Sequence, residues 1–230
     1  MNYFAESLIA ALNLLLHLDA DVWQIIITSV MISVIASLVA AVIGVPAGVM
    51  MAIHSFPGKN SLQHLLNTLM AMPTVVIGLL LYGLLSRMGP LGDWGLLYTP
   101  TAIIMAQAIL ILPIMMNLTI TAVKGADPRL LPTLKSLGAD RRQQTLQIMR
   151  TVRLAILIAV ITGFGRAIGE VGAAMMLGGN IEGYTRTMTT AIALETSKGE
   201  FELALALGIV LLLLAFLLNF TLSALDKRIR

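Results

Sequence analysis

Few residues in this chain are equipped for chemistry. Arg166 and Glu170 stand four apart inside the apolar run "ITGFGRAIGEVGAAMMLGG". A guanidinium and a carboxylate at i, i+4 on a helix share one face. They either close an internal ion pair that fixes packing, or present positive potential to a passing dianion that the acid keeps weakly held. Gly165 and Gly169, with Gly172 beyond, form a small-residue pattern that admits a close helix neighbour. Further on, "TRTMTT" sets Thr185, Arg186, Thr187 and Thr189 together. Neutral donors around one arginine suit an oxyanion arriving from outside, and equally suit a capped external loop. Neither group has the His/Asp/Glu arrangement of an enzyme site. His17, His54 and His64 lack metal-ligand spacing, and the absence of cysteine excludes thiolate metal sites and disulfides.

The elements that must hold these residues are membrane helices. The chain of 230 residues is 58% hydrophobic and 12% charged, with a mean hydropathy of +0.91; soluble domains carry about 25% charged residues. Nothing in composition divides it into further domains. Five apolar stretches reach the roughly 20 residues that a crossing needs: about 25–53, 62–85, 101–123, 154–177 and 203–225. Their continuous apolarity excludes a β-barrel. Arg166 lies 13 residues past Arg153, about 20 Å along a helix and deep in the hydrocarbon. Pro46, Pro73 and Pro113 interrupt three spans; they either shape a pathway or are tolerated as transmembrane prolines.

Charge sets the orientation. Residues 124–153 hold seven basic side chains against two acids, and the chain ends in "DKRIR", whereas Glu6, Asp19 and Asp21 precede the first span. The positive-inside rule therefore predicts an outside N-terminus and a cytoplasmic C-terminus. The apolar run Leu8–Leu18 is too short to cross and lacks the basic start of a signal peptide. Residues 1–22 are expected to form an outside interfacial helix, residues 23–225 the transmembrane domain, and residues 226–230 a cytoplasmic tail, with Trp23 as an interfacial anchor.

The polar stretch "DPRLLPTLKSLGADRRQQTLQIMR", residues 127–150, interrupts this apolar order. Asp127-Pro128 is a helix start. Leu130, Leu134 and Leu137 share a face, Gly138 ends the helix, and Asp140 with Gln143 forms a capping box for a second one. Such a pair either lies on anionic headgroups or docks its leucines into a partner.

With Ala139 after Gly138, nine residues separating Gly138 from Ile148, and placement before the penultimate span, this stretch resembles the "EAA" loop of ABC-type importer permeases. The likeness covers nearly the whole chain, including "IGVPAG", "MPTVVIGLLLYGLL" and "LPIMMNLTITAVKGADPRL". "GFGRAIGEVGAA" is similar to sulfate and molybdate permeases, and "TRTMTTAIALETSKGEF" to tungstate permeases. The family's Glu-Ala-Ala is replaced by Pro132-Thr133-Leu134, and its Leu-Pro by Arg150-Thr151. The docking role carries over and the glutamate's does not.

The resemblance implies an all-α integral membrane protein of the type I ABC importer permease fold, with five transmembrane helices after the interfacial one. Residues 124–153 become a cytoplasmic coupling loop whose contact element is Leu130, Leu131, Pro132, Thr133, Leu134, Leu137, Gly138 and Ala139. It also implies a second copy of the chain, two ATPase subunits carrying ATP and magnesium, and an extracytoplasmic substrate-binding protein, in a bacterial or archaeal plasma membrane. The chain itself needs no cofactor, no metal and no nucleic acid; it lacks the GxxxxGK[ST] phosphate loop. Import of tungstate by alternating access is the expected function, with molybdate or sulfate as the alternative cargo. An ion-coupled anion transporter working alone is the competing class, and it would need an unpaired intramembrane acid or a discontinuous ion site.

Overall fold

The computed structural model describes residues 3–17 and 19–229. Leu18, at the end of the first apolar run, and Arg230 in the tail lie outside the described residues. Every regular element among the described residues is helical: α1 (Tyr3–Leu16), α2 (Ala20–Ile53), α3 (Lys59–Met70), α4 (Thr74–Leu85), a short 3-10 turn (Gly92–Trp94), α5 (Pro100–Lys124), α6 (Leu130–Ser136), α7 (Arg141–Thr151), α8 (Arg153–Ile168), α9 (Gly172–Gly178), α10 (Met188–Lys198) and α11 (Phe201–Ile229).

Three of these, α2, α5 and α11, are long and apolar enough to cross a bilayer singly. The count rises to five if each of two bent pairs is one crossing: α3 with α4 at 99°, and α7 with α8 at 76°. The second expected span is thus two helices. Pro73 has no N–H to continue α3, and its extended backbone (φ −60°, ψ 129°) starts α4 in a new direction. The fourth expected span is also interrupted. Its helix stops at Ile168, and α9 resumes only at Gly172. Pro46 and Pro113, by contrast, sit inside continuous helices.

Helix α5 is the hub, packed by α2, α3, α8 and α9. Its Ile103, Ile111 and Met115 are fully buried. Helix α2 meets it with a stripe of small residues, Ala36, Ala40, Gly44 and Gly48, all buried and repeating every four positions. On the other side Ile27, Leu38 and Val42 stay 57–74% exposed, which suits a lipid-facing surface. Near its start Asp19 accepts from the N–H groups of Asp21 and Val22, at 3.0 and 3.2 Å, with Trp23 exposed in the first turn. Helix α1, about 21 Å long at 1.5 Å per residue, packs on α11, and its Leu14 and Leu15 join the cluster around Ile25 and Leu207.

A Cβ on Gly48 would stand 2.9 Å from both the Met116 carbonyl oxygen and the Thr119 Cβ, whereas one on Gly83 meets nothing within 4 Å. Gly48→Val is therefore expected to lower stability by about 1–3 kcal/mol through overpacking, while Gly83→Ala leaves it unchanged. Thermal unfolding of the detergent-solubilised chain checks this; equal midpoints for the two variants would discount the α2–α5 contact.

Candidate functional site

Three groups of side chains stand apart from the packing. The first is the polar helix pair. Helix α6 begins at Leu130, two residues later than Asp127-Pro128 suggests, with Asp127 Oδ1 accepting from Arg129 N at 2.8 Å. Pro132 then falls in the first turn, where an N–H would have no intrahelical partner, so it costs no hydrogen bond. Gly138 ends the helix in the left-handed region (φ +75°). The N–H of Ala139 reaches the Leu134 carbonyl, and that of Gly138 the Lys135 carbonyl, both at 3.0 Å; this double closure is a Schellman cap. The Asp140–Gln143 capping box of α7 is complete, and buried Gln144 donates through Nε2 to the Ala139 carbonyl at 2.7 Å. Both helices are thereby fixed relative to the turn. Leu130, Leu131 and Leu134 are half-buried, while Leu137 is 77% exposed with Pro132, Thr133 and Gly138 open beside it.

The second is the intramembrane pair. Arg166 Nη1 donates to Glu170 Oε2 at 2.9 Å; the Glu170 side chain is 3% exposed and that of Arg166 40%. The pair does not lie on one continuous helix. It spans the end of α8, and the other carboxylate oxygen, Oε1, accepts from Ala173 N at 3.1 Å in the first turn of α9. The Glu170 carbonyl accepts from Thr189 Oγ1 at 2.6 Å. Gly172 is the close-packing glycine: a Cβ there would be 2.9 Å from Val75 of α4. Gly165 and Gly169 instead line an open cavity of about 440 Å³ between α8 and α11, beside Thr162 and Asn219.

The third is the segment between α9 and α10. Thr185, Thr187 and Thr189 are buried. Thr185 Oγ1 donates to the Gly178 carbonyl at 2.6 Å and accepts from Ile181 N at 3.0 Å. Thr187 and Thr190 form the capping box of α10. In this conformation the hydroxyl protons of Thr185 and Thr189 are committed to backbone carbonyls. Arg186 faces Glu182 at 3.4 Å, while its Nε and the nearby-in-sequence Asn180 Oδ1 are buried without a hydrogen-bond partner.

Several contacts had no signal in the sequence. Met188 N donates to Ser29 Oγ at 2.6 Å across 159 residues, tying α10 to α2. Gln63 on α3 bonds Asn117 on α5, whose amide points at Met70 Sδ. Tyr98, held at φ +63°, sets its hydroxyl 3.3 Å from that of Tyr82. That shared hydrogen bond raises the Tyr98 phenol above its ordinary pKa. Among the described residues no three His, Asp or Glu side chains gather as a metal site.

If Glu170 ties α8 to α9, its loss should be costly. Glu170→Ala leaves Ala173 N–H and Arg166 without acceptors and is expected to cost about 2–3 kcal/mol. Glu170→Gln keeps an acceptor for Ala173 N–H and should cost clearly less. Detergent unfolding midpoints decide between them, and indistinguishable midpoints would refute the tie.

Comparison with known proteins agrees with this architecture. A tungstate uptake system permease protein of Peptoclostridium acidaminophilum is 42% identical over 99% of this chain and 100% of its own. Another tungstate uptake system permease, from Campylobacter jejuni, is 38% identical over 96% of this chain and 92% of its own. The crystal structure of an amino acid ABC transporter superposes with a TM-score of 0.67 at 17% identity, covering 93% of this chain and 96% of that one; at that identity it shows the fold. Residues 44–230 match the family model described as binding-protein-dependent transport system inner membrane component. The chain belongs to that family: it is a multi-pass membrane permease subunit of an ABC import system, not an enzyme.

Proposed function

We propose that this chain forms the pathway of a tungstate importer. The observation that carries the substrate is the near full-length identity to two tungstate uptake permeases, with permeases named for molybdenum and sulfate at 28–30% over 76–85% of the chain. Two copies are inferred to enclose the pathway. The open cavity beside Gly165 and Gly169 supports a helix of another molecule packing there. Five crossings, an outside N-terminus and a cytoplasmic C-terminus follow from the loop charges.

Exposed Leu137 with Pro132, Thr133 and Gly138 is the contact surface for an ATPase, one on each copy, which carries ATP and magnesium. Half-buried Leu130, Leu131, Leu134 and Ala139 brace it from behind. A binding protein delivers the oxyanion to the outer segment. There Arg186 supplies charge, while Thr187 caps α10 and Thr185 and Thr189 hold the loop in shape and can exchange their carbonyl partners for an anion if it opens. Arg166, 40% exposed, lends positive potential deeper in the membrane, and Glu170 prevents tight retention, since a pathway must release what it admits.

Reconstitution with the ATPase and a tungstate-loaded binding protein is expected to give ATP-dependent uptake. Uptake driven by a proton or sodium gradient from this chain alone would overturn the importer reading. Leu137→Asp should reduce ATPase copurification by about 30-fold, the scale of one interface hot spot, with an unchanged unfolding midpoint. Arg166→Gln should slow uptake without altering copurification.

A further inference from the structure

Arg141 and Arg142 stand in the first turn of α7, where the helix dipole disfavours cations. Neither guanidinium has an ion-pair or hydrogen-bond partner among the described residues. Both line a cleft of about 890 Å³ whose remaining wall is largely apolar: Ala47 and Met50 of α2, Leu62 of α3, Met116 of α5. A second cavity of about 630 Å³, lined by apolar side chains throughout, lies against the same three helices. The two join end to end. Ala47, Leu62 and Met116 line the first, while Ile43, Leu66 and Leu112, each one turn away on its helix, line the second. The result is one groove, cationic at the α7 end and apolar towards the bend between α3 and α4.

We propose that this groove binds one anionic phospholipid of the cytoplasmic leaflet, its phosphate against Arg141 and Arg142 and its acyl chains along α2, α3 and α5. The proposal rests on the orientation given above. Charge complementarity selects an anionic head, and basic pockets between transmembrane helices on the cytoplasmic side are suited to one. The apolar half selects a tail. A soluble partner reaching the arginines would leave that half, between membrane helices, unfilled.

Native mass spectrometry of the full chain in detergent, titrated with phosphatidylglycerol or with phosphatidylcholine of the same acyl chains, tests this. The expected result is preferential retention of phosphatidylglycerol. Arg141→Gln with Arg142→Gln should cut that preference by about 30-fold, near the sum of two surface cations, while the double Lys variant keeps most of it. Ile109→Trp, projecting into the apolar cavity, should weaken both lipids. Equal retention of the two lipids by the unmodified chain overturns the proposal. So does displacement by millimolar inorganic phosphate, which marks a small-anion site. Displacement by the ATPase subunits, with the double Gln variant losing the ATPase instead of the lipid, assigns the groove to a protein partner. Lipid retention is read without transport. A cysteine placed at Leu137 and labelled from outside by an impermeant reagent would refute the orientation separately.

Discussion

Inside a bilayer a backbone group without a partner costs several kcal/mol, so a helix can be interrupted there only where the protein supplies the missing bonds. The break after Ile168 is such a place, and Glu170 answers it almost alone. One carboxylate oxygen holds Arg166 at the end of α8, the other caps Ala173 N–H at the start of α9, and its carbonyl takes the Thr189 hydroxyl in the first turn of α10. Three helices converge on a single buried residue. Gly172 then lets α4 close over the junction. The charge pair is therefore structural through Glu170 and available through Arg166, whose guanidinium remains partly open.

The polar helix pair is stable for reasons of local chemistry. Its turn is closed by a left-handed glycine, a double backbone cap and the Asp140–Gln143 box, none of which needs a distant neighbour. That is why this element was legible from spacing alone, with its start misplaced by two residues. Pro132 explains the tolerance for a sequence unlike the family's Glu-Ala-Ala: in a first turn, proline removes no bond. What the substitution leaves exposed is a short apolar tip at Leu137, a shape that fits insertion into a pocket better than a spread ionic contact.

Local signals also placed the membrane helices, because continuous apolarity over 20 or more residues has no competing explanation in so uncharged a chain. Bends were less accessible. Pro46, Pro73 and Pro113 are equivalent in composition, yet only Pro73 turns the chain sharply; the other two lie in helices packed along α2 and α5, where neighbours hold the axis. The outer threonines show the same gap. Their number was visible, but their partners, the Gly178 and Glu170 carbonyls, depend on where α9 ends and α10 returns. The Ser29–Met188 contact is fixed only by the assembled bundle. Residue type names a donor; tertiary position decides who receives it.

These local and assembled features meet along one stretch of backbone. Gln144 locks α7 to the carbonyl of Ala139, Ile148 buries the middle of α7, and Val152 bends the chain directly into α8. From there α8 runs without interruption to the Glu170 junction. A displacement at Gly138 passes the 76° bend at Val152 without crossing a linker, and the next break it meets is the unwound turn at 169–171. Coupling through packed, rigid elements needs a part with two arrangements. A helix break held by side-chain bonds, beside two small glycines lining an open cavity, has the form of such a part. Glu170, the residue that makes the break tolerable in lipid, stands just past the end of the helix that continues the polar helix pair.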